Sequence, residues 1–248
     1  MKKIIWLIMG VMLLSLSSCT NQSPSSAPAV KTIRQNKTKW NRRLRQAVDL
    51  DKKISDQTPT IPPAYDDSSM SWQRLTAGNQ LLVKAQVVNL QPELGRLVTE
   101  TKATIYIEKV ISGDKSWQGK TIKTEFSGGL ARVKDYVNVF TDKDTTKDFG
   151  FDDPNTIIRA SDPSIPMPQI GQKIIIGLNR FRAENENQKK MYQHFGLSRK
   201  NFFVINNPQV TYWTQESKTY RLNNPAFLKG NLKKYPNLKR ITERLNNF

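Results

Sequence analysis

Apolar positions fall into three regimes along the chain. The first is a mainly apolar run from Ile4 to Leu16, preceded by Lys2 and Lys3 and followed at once by a polar Ser/Thr/Asn/Gln tract. That is the layout of a secretory leader. At about 13 residues the run is short for a membrane span, because a hydrocarbon core of roughly 30 Å asks for about 20 apolar residues in a helix. Residues 20–38 hold little to bury and read as a flexible tether. From Lys39 to Ile54 the positions Trp40, Leu44, Ala47, Val48 and Ile54 recur at near-helical spacing, with Arg42, Arg43, Arg45, Lys52 and Lys53 between them. This predicts a short amphipathic helix with a basic face. Pro59, Pro62 and Pro63 then make an extended linker.

The third regime has a period of two. Leu81–Leu90, Lys102–Ile111 and Thr121–Phe126 read as strands joined by turns at Pro92/Gly95 and Ser112-Gly113-Asp114, with Gly128-Gly129 closing the last. Short connections between consecutive strands predict an antiparallel meander. Ile174–Leu178, Phe202–Ile205, Val210–Trp213 and Thr219–Leu222 read as further strands, and 183–190 as a polar turn. Asn224-Pro225 and Tyr235-Pro236 open C-terminal helices, the last carrying Leu238, Ile241 and Leu245.

Two stretches resemble known families. Leu16-Ser17-Ser18-Cys19 ends the leader and contains the only cysteine of the chain. It resembles the bacterial lipobox, an aliphatic residue and two small residues before the cysteine. That resemblance implies that signal peptidase recognises Leu16, Ser17 and Ser18, that Cys19 is lipidated, and that the mature protein stands on the outer face of the cell membrane. Two acyl chains hold stably where one holds marginally, at about 0.8 kcal/mol per buried CH₂. The second stretch runs from residue 80 to 180. The segments Leu82–Val88, Ala103–Gly113, Gly119–Ile122, Gly128-Gly129 and Gln169–Leu178 resemble a β-barrel module of exported proteins of Gram-positive bacteria and are similar in rhythm to the OB-like netrin domain. The expected fold is therefore mainly β, an antiparallel OB-like β-barrel with a short N-terminal amphipathic helix and C-terminal helices. The expected organisation is a signal peptide at 1–18, lipidated cysteine and tether at 19–38, helix and Pro-rich linker at 39–71, and a β-rich domain at 72–248.

Charge adds candidate partners. Loss of Lys2 and Lys3 with the leader leaves 37 basic against 21 acidic residues, a formal charge of +16. Such a charge attracts anionic lipid, teichoic acid or nucleic acid. The bias lies at both ends of the folded region: residues 31–53 hold nine Lys or Arg against two Asp, and Arg180 onward holds 14 against four. Arg42, Arg43, Arg45, Lys52, Lys53, Lys233 and Lys234 are the candidate polyanion contacts. The same helix can instead pack Trp40, Leu44 and Val48 on the domain and leave its charges solvated. Strand lysines Lys84, Lys109, Lys120 and Lys123 with Arg132, near Tyr106, Phe126 and Tyr136, are what a strand-following nucleic-acid surface would need.

Catalytic chemistry leaves few traces. One histidine, His194, and one cysteine exclude the usual metal-ligand sets and any disulfide within the chain, and no cofactor is implied. There is no Gly-x-Ser-x-Gly, phosphate-binding loop, dinucleotide fingerprint or His-Glu-x-x-His. Ser127 precedes Gly128-Gly129 without a base in the sequence to activate it. Among Asp142, Asp144, Asp148, Asp152, Asp153 and Asp162, the pair Asp142/Asp144 opens like a calcium loop, yet Lys147 stands where an EF-hand needs glycine. A carboxylate pair for hydrolysis needs no motif, and Asp152 and Asp153 are the nearest candidates. The sequence thus points to a lipid-anchored surface protein whose barrel is a non-enzymatic binding module. Polyanion binder and envelope hydrolase are the alternatives, and no protein partner is named.

Overall fold

The structure, a computed structural model, describes residues 27–51, 58–96, 98–136, 150–229 and 232–248. Its centre is the expected meander: β2 (Leu81–Pro92), β3 (Glu100–Gly113) and β4 (Thr121–Ser127) pair antiparallel in sequence order. β3 shows how alternation makes a half-buried strand, with Thr101, Ala103, Ile105 and Ile107 buried and the residues between them facing outward. β2 is buried on both faces. Leu81, Val83, Ala85 and Val87 enter one core while Leu82 enters another. Three register shifts between β2 and β3 mark bulges, which coil the pair.

β7 (Lys173–Arg180) lies antiparallel on the other side of β2. Its first half pairs with β9 (Tyr212–Glu216), which carries β10 (Thr219–Leu222); its second half pairs with β8 (Phe203–Ile205). Just ahead of β8, Phe202 makes a parallel bridge to Lys123 of β4, and the Lys123 N–H donates to the Asn201 carbonyl at 2.7 Å. A second sheet, not expected from the sequence, joins β1 (Val48–Asp49), which was read as helix, parallel to β6 (Ile157–Ala160), which pairs antiparallel with β5 (Gly129–Arg132). Gly128 and Gly129 make the step from β4 into this sheet at φ 88° and 120°, conformations glycine reaches without penalty. Thr101 Oγ1 donates to the Gly128 carbonyl at 2.7 Å.

Helices close the cores. α1 (Val30–Gln46) lies against β2 and buries Trp40 in the main core, with Ile33 and Leu44 packed beside it, and Asn36 Nδ2 donates to the Val88 carbonyl at 3.1 Å. It starts at Val30, inside the stretch read as tether, and ends at Gln46 rather than Ile54. Exposed Thr32 and Gln35, and Asn36 turned inward on Val88, left the first turns without an apolar stripe to read. α2 (Trp72–Ala77) follows the linker, with Leu75 buried in the second core. α3 (Glu186–His194) replaces the polar turn read at 183–190. None of its residues is buried, so it carries no apolar stripe to find, and Asn185 caps it by accepting the Gln188 N–H. Residues 208–211 form a short helix, α4 (Pro208–Thr211), where a strand was expected. Asn207 at φ 47° and Pro208 at the first helical position set that turn before β9 begins. α5 (Pro225–Lys229) and α6 (Pro236–Asn246) are the expected C-terminal helices. α6 lays Leu238, Ile241 and Leu245 on Trp213, Leu222 and Phe227, and Asp67 caps its start by accepting from the Asn237 and Leu238 N–H groups at 2.9 and 3.1 Å.

Trp213 Nε1 donates to Thr242 Oγ1 at 3.0 Å in a buried site, and Thr242 Oγ1 in turn donates to the Leu238 carbonyl. Thr242→Val keeps the shape and strands the indole N–H, so the urea midpoint should fall by the equivalent of about 1–3 kcal/mol. Gly129→Ala meets two obstacles: the left-handed φ, and a Cβ that would stand 1.9 Å from Thr101 Oγ1. A loss of about 2–4 kcal/mol is expected in the same measurement.

Candidate functional site

The outward face of β3 and β4 is a ladder of paired side chains. Register sets Glu100 opposite Ser127, Lys102 opposite Glu125 and Thr104 opposite Lys123, so strand geometry alone gathers charges of both signs. The turn between β2 and β3 adds Glu93 and Arg96. Arg96 Nη1 donates to Glu93 Oε2 at 2.5 Å and also to Glu125 Oε1. The side chains of Arg96, Glu93 and Glu125 are 10%, 1% and 10% exposed, which makes this an ion triad out of water. The guanidinium lies over the rings of Tyr192 and Phe195, at 5.1 and 5.8 Å from their centroids. Lys102 Nζ donates to the Phe195 carbonyl at 2.6 Å and Lys123 Nζ to the Gly196 carbonyl at 2.7 Å. The segment carrying α3 is thereby fastened across the β3–β4 face.

Carboxyls outnumber the guanidinium three to one. Burial pushes Glu100 up to about 7, against which Arg96 pulls and Glu93 pushes. Burial and the adjoining Glu93 carboxylate push Glu125 up to about 9. Burial alone would pull Arg96 down, but the Glu125 and Glu93 carboxylates outweigh it and hold it above its ordinary value. The cluster therefore keeps a proton at neutral pH. Glu93 Oε1 is buried without a hydrogen-bond partner among the described residues. Lys102 is lowered by its own burial and by Lys123. Chemically the cluster is a clamp. A glycoside hydrolase needs two carboxylates flanking an open bond, and here Arg96 fills the space between Glu93 and Glu125. Ser127 does face a carboxyl, Glu100, but among the described residues no hydrogen bond joins them. No group of His, Cys, Asp or Glu among the described residues is arranged to hold a metal ion.

Beside the clamp a cleft of about 570 Å³ opens between α1, β3 and β5. Arg43, Gln46 and Lys102 supply its polar wall, and Leu94, Leu130 and Phe195 its apolar one. Of the basic residues singled out from sequence, Arg42, Arg43 and Arg45 are exposed on α1, and Arg43 alone reaches this cleft. Lys233 and Lys234 are exposed in a 3₁₀ turn whose Leu232 packs in the second core, away from the core that holds α1. Cys19, Leu16, Ser17, Ser18, Lys52 and Lys53 lie outside the described residues, as do Asp142, Asp144 and Asp148. Asp152 and Asp153 are exposed. Asp162 accepts the Ser164 N–H at 2.8 Å. His194 is exposed at the end of α3 against Phe195.

The strand cations singled out from sequence make contacts within the fold. Lys84 lies over Tyr220, Lys109 over Phe248 and Lys120 over Trp117, Arg132 pairs with Asp135, and Phe126 is buried in the main core. Sequence reasoning missed Glu93, Arg96, Glu100 and Glu125, for which the one local signal was Glu93 and Arg96 spaced three apart around Gly95. No helix among the described residues is long and apolar enough to cross a membrane. Set against models of known protein families, curated proteins and solved structures, the chain matches none.

The raised carboxyl pKa values make stability depend on pH with a defined sign. Between about 4.5, where an unfolded glutamate ionises, and about 7, where folded Glu100 does, the folded chain binds the extra proton. Stability must then fall as pH rises. Glu100→Gln imitates the protonated form, so its unfolding free energy should gain on the parent by about 1–3 kcal/mol between pH 5 and pH 8. Parallel curves for the two chains would place Glu100 in solvent.

Proposed function

We propose that this chain is an exported lipoprotein, held on the outer face of the membrane by lipid at Cys19, whose OB-like barrel is a non-enzymatic binding module pressed against a polyanionic surface by α1. The observation that carries this reading is the charge of α1. Lys31, Arg34, Lys37, Lys39, Arg42, Arg43 and Arg45 are all exposed, the helix has no acidic residue, and none of the seven forms an ion pair among the described residues. Its apolar side is already engaged: Trp40, Ile33 and Leu44 face the core. A helix so divided presents one face to the fold and the other to an anionic partner.

Chain length strengthens the link to a membrane. Ten residues separate Cys19 from Val30, a stretch that reaches at most about 40 Å when fully extended. Lipid at Cys19 would keep α1 near the headgroups or the wall polymers above them, where each basic side chain contributes about 1 kcal/mol. The barrel reading is supported by the circuit β7–β2–β3–β4–β8–β7, completed by the Phe202–Lys123 bridge. A five-stranded, partly open Greek-key barrel has this form. In such barrels the second and third strands bind ligands. The corresponding β3–β4 face is here covered by the clamped α3 segment, which leaves α1 and the neighbouring cleft as the open surfaces.

Two measurements test the proposal. Cys19→Ser should give either an uncleaved precursor or protein released to the medium, and a variant still processed and lipid-labelled refutes the anchor. The unlipidated chain should co-sediment with anionic vesicles at low salt but not with neutral ones. The double variant Arg42→Gln/Arg45→Gln should weaken this by about thirtyfold, two side chains at about 1 kcal/mol each. Binding insensitive to both salt and variant would make the charge of α1 a solubility feature.

A further inference from the structure

We propose that the cleft between α1, β3 and β5 binds a small anionic amphiphile, a phosphate or carboxylate carrying a short apolar chain. Its two walls differ in chemistry. Arg43 and Lys102 bring cations from separate elements, with Gln46 beside them, and no carboxylate lines the cleft. Neither cation forms an ion pair among the described residues. Leu94, Leu130 and Phe195 supply apolar lining to the same cleft. A volume of about 570 Å³ is in the range of small-molecule sites, which are mostly apolar with a few placed polar groups.

The cations are suited to the anion of such a ligand. Arg43 offers a planar fork that matches two oxygens of a phosphate or carboxylate, and Lys102 a compact charge. Lys102 is held in place, because one of its three donors is fixed on the Phe195 carbonyl at 2.6 Å, and the other two are left for an incoming oxygen. Burial already disfavours its ammonium, and a bound anion would relieve that. Phe195 is set from behind by the Arg96 guanidinium, so cation and apolar wall are positioned by the same clamp. The site belongs to the folded domain and does not rest on lipidation at Cys19.

The test is calorimetric titration of the same unlipidated chain used for vesicle binding, in the absence of lipid, with octyl phosphate, octanoate, inorganic phosphate and octanol, heats of dilution being subtracted. Octyl phosphate and octanoate should bind, and their relative strength tells whether phosphate or carboxylate is preferred. Inorganic phosphate and octanol should each bind at least about tenfold more weakly than the better octyl anion. Arg43→Gln, on an exposed position that leaves the fold untouched, and Lys102→Gln should each weaken that anion by about tenfold or more. An unchanged melting temperature without ligand shows that the Arg43 variant is folded. Inorganic phosphate binding as well as octyl phosphate would remove the apolar wall from the site, and octanol binding as well would remove the cations. Either result overturns the proposal, as does an octyl anion that fails to bind or binds the Arg43 variant equally.

Discussion

A guanidinium in a dry site is the constraint on which the β3–β4 face of the larger sheet depends. Taking Arg96 and its carboxylates out of water costs several kcal/mol per ion, and this is recovered only when each partner is in place. The partners come from three places: Glu93 from the turn after β2, Glu125 from β4, and the rings of Tyr192 and Phe195 from the α3 segment. None of these can shift alone without leaving a buried charge unmatched. The triad therefore fixes a turn, a strand and a helical insertion relative to one another with a specificity that apolar contacts between them would not supply. It also decides which face of the sheet is covered.

Charge in this protein is divided by use. Lys102 and Lys123 hold backbone carbonyls, Lys84, Lys109 and Lys120 lie over aromatic rings, and Arg159 and Lys173 pair with Asp49 and Glu108. On β2, β3 and β4 the basic excess is thus largely absorbed into local contacts. On α1 it is not, and the net charge of the chain has its clearest free expression there.

The meander was legible because β3 and β4 obey a strict period of two and their turns carry glycine. α6 was legible because proline, then Leu238, Ile241 and Leu245, mark both its start and its inner face. The strands of the second sheet were not, since four residues such as Ile157–Ala160 are too few to set a period, and their partners are more than twenty residues away in the chain. α3 escaped because nothing on it is buried. The clamp escaped for a deeper reason. Glu100 and Glu125 occupy positions that alternation assigns to solvent, and what removes them from water is the α3 segment folding back from some seventy residues later. Arg43 was found by charge density, but its place beside Lys102 in the lining of one cleft is a fact of packing.

α1 has a mechanical consequence as well. It is the first described helix and also the one that seats Trp40 in the main core and ties Asn36 to the Val88 carbonyl of the central strand. Any pull exerted on the chain ahead of Val30 is delivered along this helix to the central strand of the larger sheet. Resistance to it then resides in one indole ring and the strand beneath, so this end of the described chain cannot yield without opening the core.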